Sequence, residues 1–214
     1  MRTAAVLPVK SFARAKQRLG AAVRNRPELA EAMVGDVLDA LSSVAGLERI
    51  VVVTADRAAA AAASAIGAAV VDDPEEAGQS AAAARGVEAA LESAADRALL
   101  VPGDCPALDP GEIETLLART AQVVIVPDRH GHGTNALLLR PPDVFAPSFG
   151  PGSLARHAAL ARAAGAPVKV AALRSLALDV DTPGDLAALR AALAGQGGGA
   201  PRTRALLDRL AAAA

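Results

Sequence analysis

The sequence predicts an α/β sandwich around a mostly parallel central sheet, and three observations carry that prediction. Short apolar runs recur along residues 4–128 with helix-like segments between them. The clearest run, RIVVVTA (49–55), is continuously apolar and β-branched, as expected of a strand buried on both faces. Strands alternating with helices, rather than grouped apart from them, are the pattern of a parallel sheet covered on both sides.

The elements follow in order. AAVLPV (4–9) reads as the first strand, and residues 27–44 as the first helix, opened by Pro27. After the strand at 49–55 come a short strand AAVV (68–71) and an alanine-rich helix at 79–95. RALLVPGD (97–104) is a strand ending in a turn, Asp109-Pro110 opens a helix, and AQVVIVPD (121–128) is again a strand. Beyond 128 the pattern loosens. A Gly-rich loop leads into a strand stopped by Pro141-Pro142, and FGPGS leads into a helix at 153–164. PVKVAAL (167–173) and SLALDVDTP (175–183) read as two short strands, with a last helix starting near Pro183. Residues 1–194 therefore form one domain, 195–201 a Gly-rich linker, and 202–214 a short amphipathic helix or tail.

Composition narrows the function classes. An apolar fraction of 52% is ample for a core, although the chain has three Phe and neither Trp nor Tyr. A net charge of −1 gives no global field for nucleic acid or acidic membranes, so anion binding must be local. A single cysteine, Cys105, excludes an intrachain disulfide, and no apolar stretch is long enough to span a bilayer. The expectation is a soluble, cytoplasmic protein that binds neither nucleic acid nor membrane; an oligomer stays open.

In open α/β sheets, ligands bind beyond the carboxyl ends of the strands, and three polar clusters fall there. Lys10, Arg14, Lys16 and Arg18 follow the first strand within nine positions, taking two of the three lysines in the chain. Lysine brings a mobile point charge and arginine a planar fork, so this set can grip a polyphosphate from several sides. The alternative is an exposed turn of solvated charges. Neither GxxxxGK[ST] nor GxGxxG is present. In VPGDCPALDP, Asp104 can hold Mg2+ against substrate phosphates or serve as a turn aspartate. Asp109 reads as a helix cap, and Cys105 as a packed small residue rather than a nucleophile. In LALDVDTPGDL, Asp179 and Asp181 are two apart, and either can face Asp104, while Asp181-Thr182-Pro183 also suits a helix cap.

Other loops suit anions or nucleotides. HGHGTN and FGPGS place glycines beside Thr134 and Ser153, the second at a helix N-terminus where free N–H groups favour phosphate or carboxylate. His130 and His132 have no cysteine beside them and read as loop residues rather than metal ligands. Gly78, Gln79 and Ser80 open the helix at 79–95 and suit nucleotide contacts.

Taken together, these pieces resemble the guanylyltransferase family that makes guanylylated phospho-acids for coenzyme F-420. LPVKSFARAKQRL resembles that family's P-V-K-x-x-x-x-A-K-x-R-L signature, VPGDCPAL its metal-binding segment, and RHGHGTNALLL, FGPGS and DVDTPGDL complete the order. The resemblance implies a single-domain, Rossmann-like nucleotidyltransferase sandwich. It implies attack on the α-phosphorus of GTP by the phosphate of a small carboxylate, with release of pyrophosphate. Lys10, Lys16 and Arg18 would then be catalytic. Pro8, Lys10, Arg14, Lys16, Gly78, Gln79 and Ser80 would bind the nucleotide, Asp104 and Asp181 would hold Mg2+, and Thr134, Gly150 and Ser153 would bind the phospho-acid. The wording of the two glycine loops is most similar to the phosphoenolpyruvate branch; 2-phospho-L-lactate and 3-phosphoglycerate are the alternatives. The product would pass to the next enzyme of coenzyme F-420 biosynthesis. Where family members often read G-L-N, this chain has Gly78-Gln79-Ser80, so guanine specificity rests on the resemblance alone. A molybdenum-cofactor nucleotidyltransferase would begin with a Gly-rich loop in place of Pro8-Val9-Lys10. A non-catalytic nucleotide-binding module would have no reason to keep Asp104, Asp181 and the four cations.

Overall fold

The computed structural model describes residues 1–23, 25–194 and 199–212. Seven strands form one sheet: β1 (Thr3–Pro8), β2 (Arg49–Thr54), β3 (Ala69–Asp72), β4 (Arg97–Leu100), β5 (Val123–Pro127), β6 (Thr134–Leu139) and β7 (Val168–Val170). Their order is β3-β2-β1-β4-β6-β5-β7. β6 runs antiparallel to β4 and β5, and the other pairings are parallel, so the sheet is the mostly parallel one expected. Among the described residues the α-helices are α1 (Arg26–Ser42), α2 (Arg57–Ala65), α3 (Gln79–Glu92), α4 (Pro110–Leu117), α5 (Ser153–Ala163), α6 (Pro183–Ala194) and α7 (Pro201–Ala212).

Side chains alternate across β1, and the two faces build separate cores. Ala5 and Leu7 pack with α1, α2 and α4, through residues such as Val37, Ala63 and Ile113. Ala4 and Val6 pack with α3 and α5, through Ala83, Val87 and Ala161. α3 approaches β1 so closely that a Cβ on Gly86 would stand 2.2 Å from Val6 Cγ1, which only glycine avoids. A third cluster joins Leu29 and Met33 of α1 to Leu189 of α6 and Leu206 of α7. The terminal helix is therefore docked on α1. Asp36 of α1 caps it by accepting the N–H groups of Arg202 and Thr203 at 2.9 and 2.8 Å.

Two helix starts are fixed by aspartate caps, of which only Asp109-Pro110 was expected. Asp109 accepts the Gly111 N–H ahead of Pro110, and Asp56 accepts those of Ala58 and Ala59. One expectation fails: residues 175–182 form no strand. That segment crosses the carboxyl ends of the strands, and its polar backbone is satisfied by loops instead of a ladder. Val180 N–H donates to Asp104 O (3.1 Å), and Leu176 O accepts from Asn135 Nδ2 (2.7 Å). Of the expected linker 195–201, residues 195–198 lie outside the described residues, and Pro201 already belongs to α7. Among the described residues no helix is long and apolar enough to cross a membrane.

Candidate active site

The cationic segment starts where β1 ends. Val9 N–H still bonds to Val53 O of β2 (2.9 Å), residues 12–14 then form a 3-10 turn, and residues 17–22 form a 3-10 segment broken by a kink at Gly20. Acidic side chains from two neighbouring loops fasten the first of these. Phe12 N–H donates to Asp56 Oδ2 (2.9 Å), and Ser11 N–H to Glu76 Oε1 (2.7 Å). Arg14 pairs with the other oxygen of Glu76. Between the turns, Lys16 has φ 56°, a left-handed conformation that costs a non-glycine residue about 1 kcal/mol or more.

The Lys16 side chain is 8% exposed and lies between two carboxylates. Its Nζ donates to Asp104 Oδ2 at 2.5 Å and to Asp181 Oδ1 at 3.1 Å. Burial alone would lower the Lys16 pKa, but the charges and hydrogen bonds of Asp104 and Asp181 outweigh it and hold the ammonium above its ordinary value. Arg18 lies 3.9 Å from Asp181 Oδ2 and is well exposed.

Asp181 is free for this pairing because Thr182 and Asp185 make the helix cap. Asp185 Oδ2 accepts the N–H groups of Asp181 and Thr182 and the Thr182 hydroxyl, while Asp185 N–H returns a bond to Thr182 Oγ1. Asp179 is held apart, its Oδ1 accepting from Asn135 Nδ2 at 3.1 Å. Burial raises its pKa, partly opposed by that bond. Asp181, not Asp179, is thus the carboxylate that shares a cation with Asp104.

The donor set fits a divalent cation. Asp104 Oδ1 is buried without a hydrogen-bond partner, and the two carboxylates already converge on one positive charge. Mg2+ takes one or two carboxylates and completes its shell with water and phosphate oxygens. Among the described residues no group of three or more His, Cys, Asp or Glu is arranged to hold a metal ion.

A cavity of about 560 Å³ opens onto this centre. Of the expected residues, Pro8, Lys10, Arg14, Lys16, Arg18, Gly78, Gln79, Asp104 and Asp181 line it, and Ser80, Thr134, Gly150 and Ser153 do not. Ser80 Oγ instead accepts the Phe149 N–H (2.9 Å), joining the start of α3 to the loop before α5. Thr134, Ser153 and His157 are all buried. Thr134 Oγ1 is 3.0 Å from His157 Nδ1, and Ser148 N–H donates to His157 Nε2 (2.9 Å). Burial, aided by Arg156, lowers the His157 pKa to about 4, so the ring is neutral. With Nε2 accepting, Nδ1 carries the proton and donates to Thr134 Oγ1, leaving the Thr134 O–H free to donate elsewhere. Arg156 stitches the same loop through Ser148 O, Phe149 O and Pro151 O. At the start of α5, Ser153 N–H already donates to Gly150 O and Leu154 N–H to His132 O.

His130 and His132 are exposed, and their backbone N–H groups donate to Asp128 Oδ1. Cys105 is fully buried with its thiol toward Leu176 O, and burial drives its pKa well up, as suits a packed residue. Sequence reasoning passed over Asp73, Glu76 and His157. The signals were present: DDPEE follows the third strand, and His157 stands four residues after Ser153 on one helix face.

Comparison with known proteins adds the family. The model of the guanylyl transferase CofC-like family matches residues 3–204. The chain is 53% identical to a phosphoenolpyruvate guanylyltransferase of Conexibacter woesei, over 98% of this chain and 97% of that protein. It is 38% identical to a 3-phospho-D-glycerate guanylyltransferase of Phenylobacterium zucineum, over 85% and 86%. Among solved structures, a nucleotidyl transferase from Methanothermobacter shares the fold, with a TM-score of 0.61 at 21% identity over 89% of this chain and 96% of that one.

Proposed function

This chain belongs to the guanylyl transferase CofC-like family, and we propose that it joins GTP to phosphoenolpyruvate, releasing pyrophosphate. A phosphate oxygen of phosphoenolpyruvate attacks the α-phosphorus of GTP. The bond from that phosphorus to the bridging oxygen breaks, and pyrophosphate leaves with the electron pair. The product is enolpyruvoyl-2-diphospho-5'-guanosine, consumed by the next enzyme of coenzyme F-420 biosynthesis.

The observation that carries this reading is the convergence of Lys10, Arg14, Lys16 and Arg18 with Asp104 and Asp181 on one cavity. Lys10 and Arg14 grip the triphosphate, while Lys16 and Arg18 neutralise the charge growing on the leaving pyrophosphate. This is positioning and electrostatic catalysis, which needs no side-chain nucleophile. Asp104 and Asp181 would hold Mg2+, which when bound screens and orients the reacting phosphate oxygens. Lys16 must then give up the carboxylates and turn to the phosphates. The resemblance gives the phospho-acid to Thr134, Gly150 and Ser153, which lie off the cavity in this structure, so that they would have to open toward it, the spare Thr134 O–H being one donor.

The test supplies GTP labelled at its α-phosphorus, Mg2+ and each phospho-acid in turn. The reading expects label in a new diphosphate diester, and equimolar pyrophosphate, with phosphoenolpyruvate. Transfer only to 3-phosphoglycerate or 2-phospho-L-lactate overturns the substrate, and transfer to none overturns the reaction.

A further inference from the structure

The guanylyl reading leaves open how the base is read, and a side chain outside the phosphate machinery answers it. Asp73 follows β3 directly and lines the cavity, yet its side chain is only 8% exposed. Its Oδ1 is buried and ion-paired with Arg85 Nε at 3.4 Å but accepts no hydrogen bond, and among the described residues no hydrogen bond reaches Oδ2 either. The ion pair offsets its charge, but its lone pairs stay open to a donor arriving from the cavity. Glu76, the other acid of this wall, is already committed to Ser11 N–H and Arg14. Asp73 is the acceptor left over.

Its neighbours present the opposite polarity. Gln79 lines the same cavity at the first turn of α3, and the preceding Gly78, at φ 113°, supplies no side-chain cap to that helix. The side-chain amide of Gln79 and the uncapped N–H groups of the first turn are therefore donors beside an acceptor. Guanine carries the matching edge, with N1–H and N2–H as adjacent donors and O6 next to them as an acceptor. Adenine would turn the N1 lone pair toward the carboxylate.

We propose that Asp73 is the residue that selects guanine, its carboxylate accepting N1–H and N2–H while the start of α3 donates to O6. This rests on GTP being the nucleotide donor. It places the base at the β3–α3 wall and the triphosphate against the cationic turns, consistent with a cavity lined by both.

The test compares wild type with Asp73→Asn at fixed phosphoenolpyruvate and Mg2+, reading kcat/KM for GTP, ITP, XTP, ATP and dGTP. ITP lacks the 2-amino group, and XTP has a carbonyl there, which an Asn amide can donate to and a carboxylate cannot. The expected result is a GTP over ITP preference that falls by about tenfold or more, with a XTP over GTP ratio that rises by about tenfold. Greater XTP use is a gain that misfolding cannot produce. An unchanged GTP over ITP ratio overturns the proposal, whether the rates fall uniformly or a changed dGTP over GTP ratio shows Asp73 on the ribose. Should Asp73→Asn not fold, Asp73→Ser carries the same GTP over ITP comparison. A wild type that does not favour GTP over ATP and ITP refutes the donor itself, a separate failure.

Discussion

Lys16 Nζ lies 2.5 Å from Asp104 Oδ2, with Asp181 Oδ1 at 3.1 Å, so the ammonium stands between the carboxylates that would share a divalent cation. Lys16→Met removes that competitor along with a phosphate ligand. Turnover is expected to fall by about 100- to 1,000-fold. Mn2+ binding without nucleotide, read by electron paramagnetic resonance, is expected to tighten. Unchanged or weaker Mn2+ binding contradicts the idea that lysine and metal compete.

Glu76 holds the cationic turn from the far side of the cavity, through Ser11 N–H and Arg14. Glu76→Gln weakens the charge-assisted contact while keeping the shape. KM for GTP is expected to rise about tenfold, with KM for phosphoenolpyruvate little changed. Steady-state kinetics with each substrate varied provides the check, and an unaltered KM for GTP would remove Glu76 from this role.

The buried His157 makes stability depend on pH. Its folded pKa, about 4, lies below the ordinary value of 6.5, so the unfolded chain binds more protons between them. Its contribution is complete above pH 6.5 and is lost as pH falls through 4. The full loss is roughly 3 kcal/mol. Urea unfolding of wild type from pH 7 to 4 should therefore fall more steeply than that of His157→Gln. Parallel curves would show that the ring does not titrate with folding.

Asp36 is buried at the base of α7, where it accepts the N–H groups of Arg202 and Thr203. Asp36→Ala leaves both donors unpaired and is expected to cost about 1–3 kcal/mol in urea unfolding. Both KM values should be unaffected, because Asp36 does not line the cavity. A large kinetic effect without loss of stability would mean that α7 shapes the site.

What could be read from the sequence followed the range of the physics involved. β2 was legible because a continuous β-branched run has few other homes, and α4 because Asp109-Pro110 is a local start signal. α2 was not marked out, since its alanine run shows almost no polar face. Residues 175–182 look like a strand by composition but are claimed by Asp104 and Asn135, far along the chain. The cationic loop was visible because its four charges are neighbours. Glu76 and His157 were not, since they act through Ser11, 65 residues away, and Thr134, 23 residues away.

The central claim is that Asp104, with Asp181 and the Lys10–Arg18 segment, forms the centre of guanylyl transfer. Its most direct test is the initial rate of pyrophosphate release from GTP, phosphoenolpyruvate and Mg2+ by wild type and Asp104→Asn, each verified as folded by circular dichroism. The account predicts a loss of about 1,000-fold or more in the folded variant. A folded Asp104→Asn that turns over at the wild-type rate would contradict it.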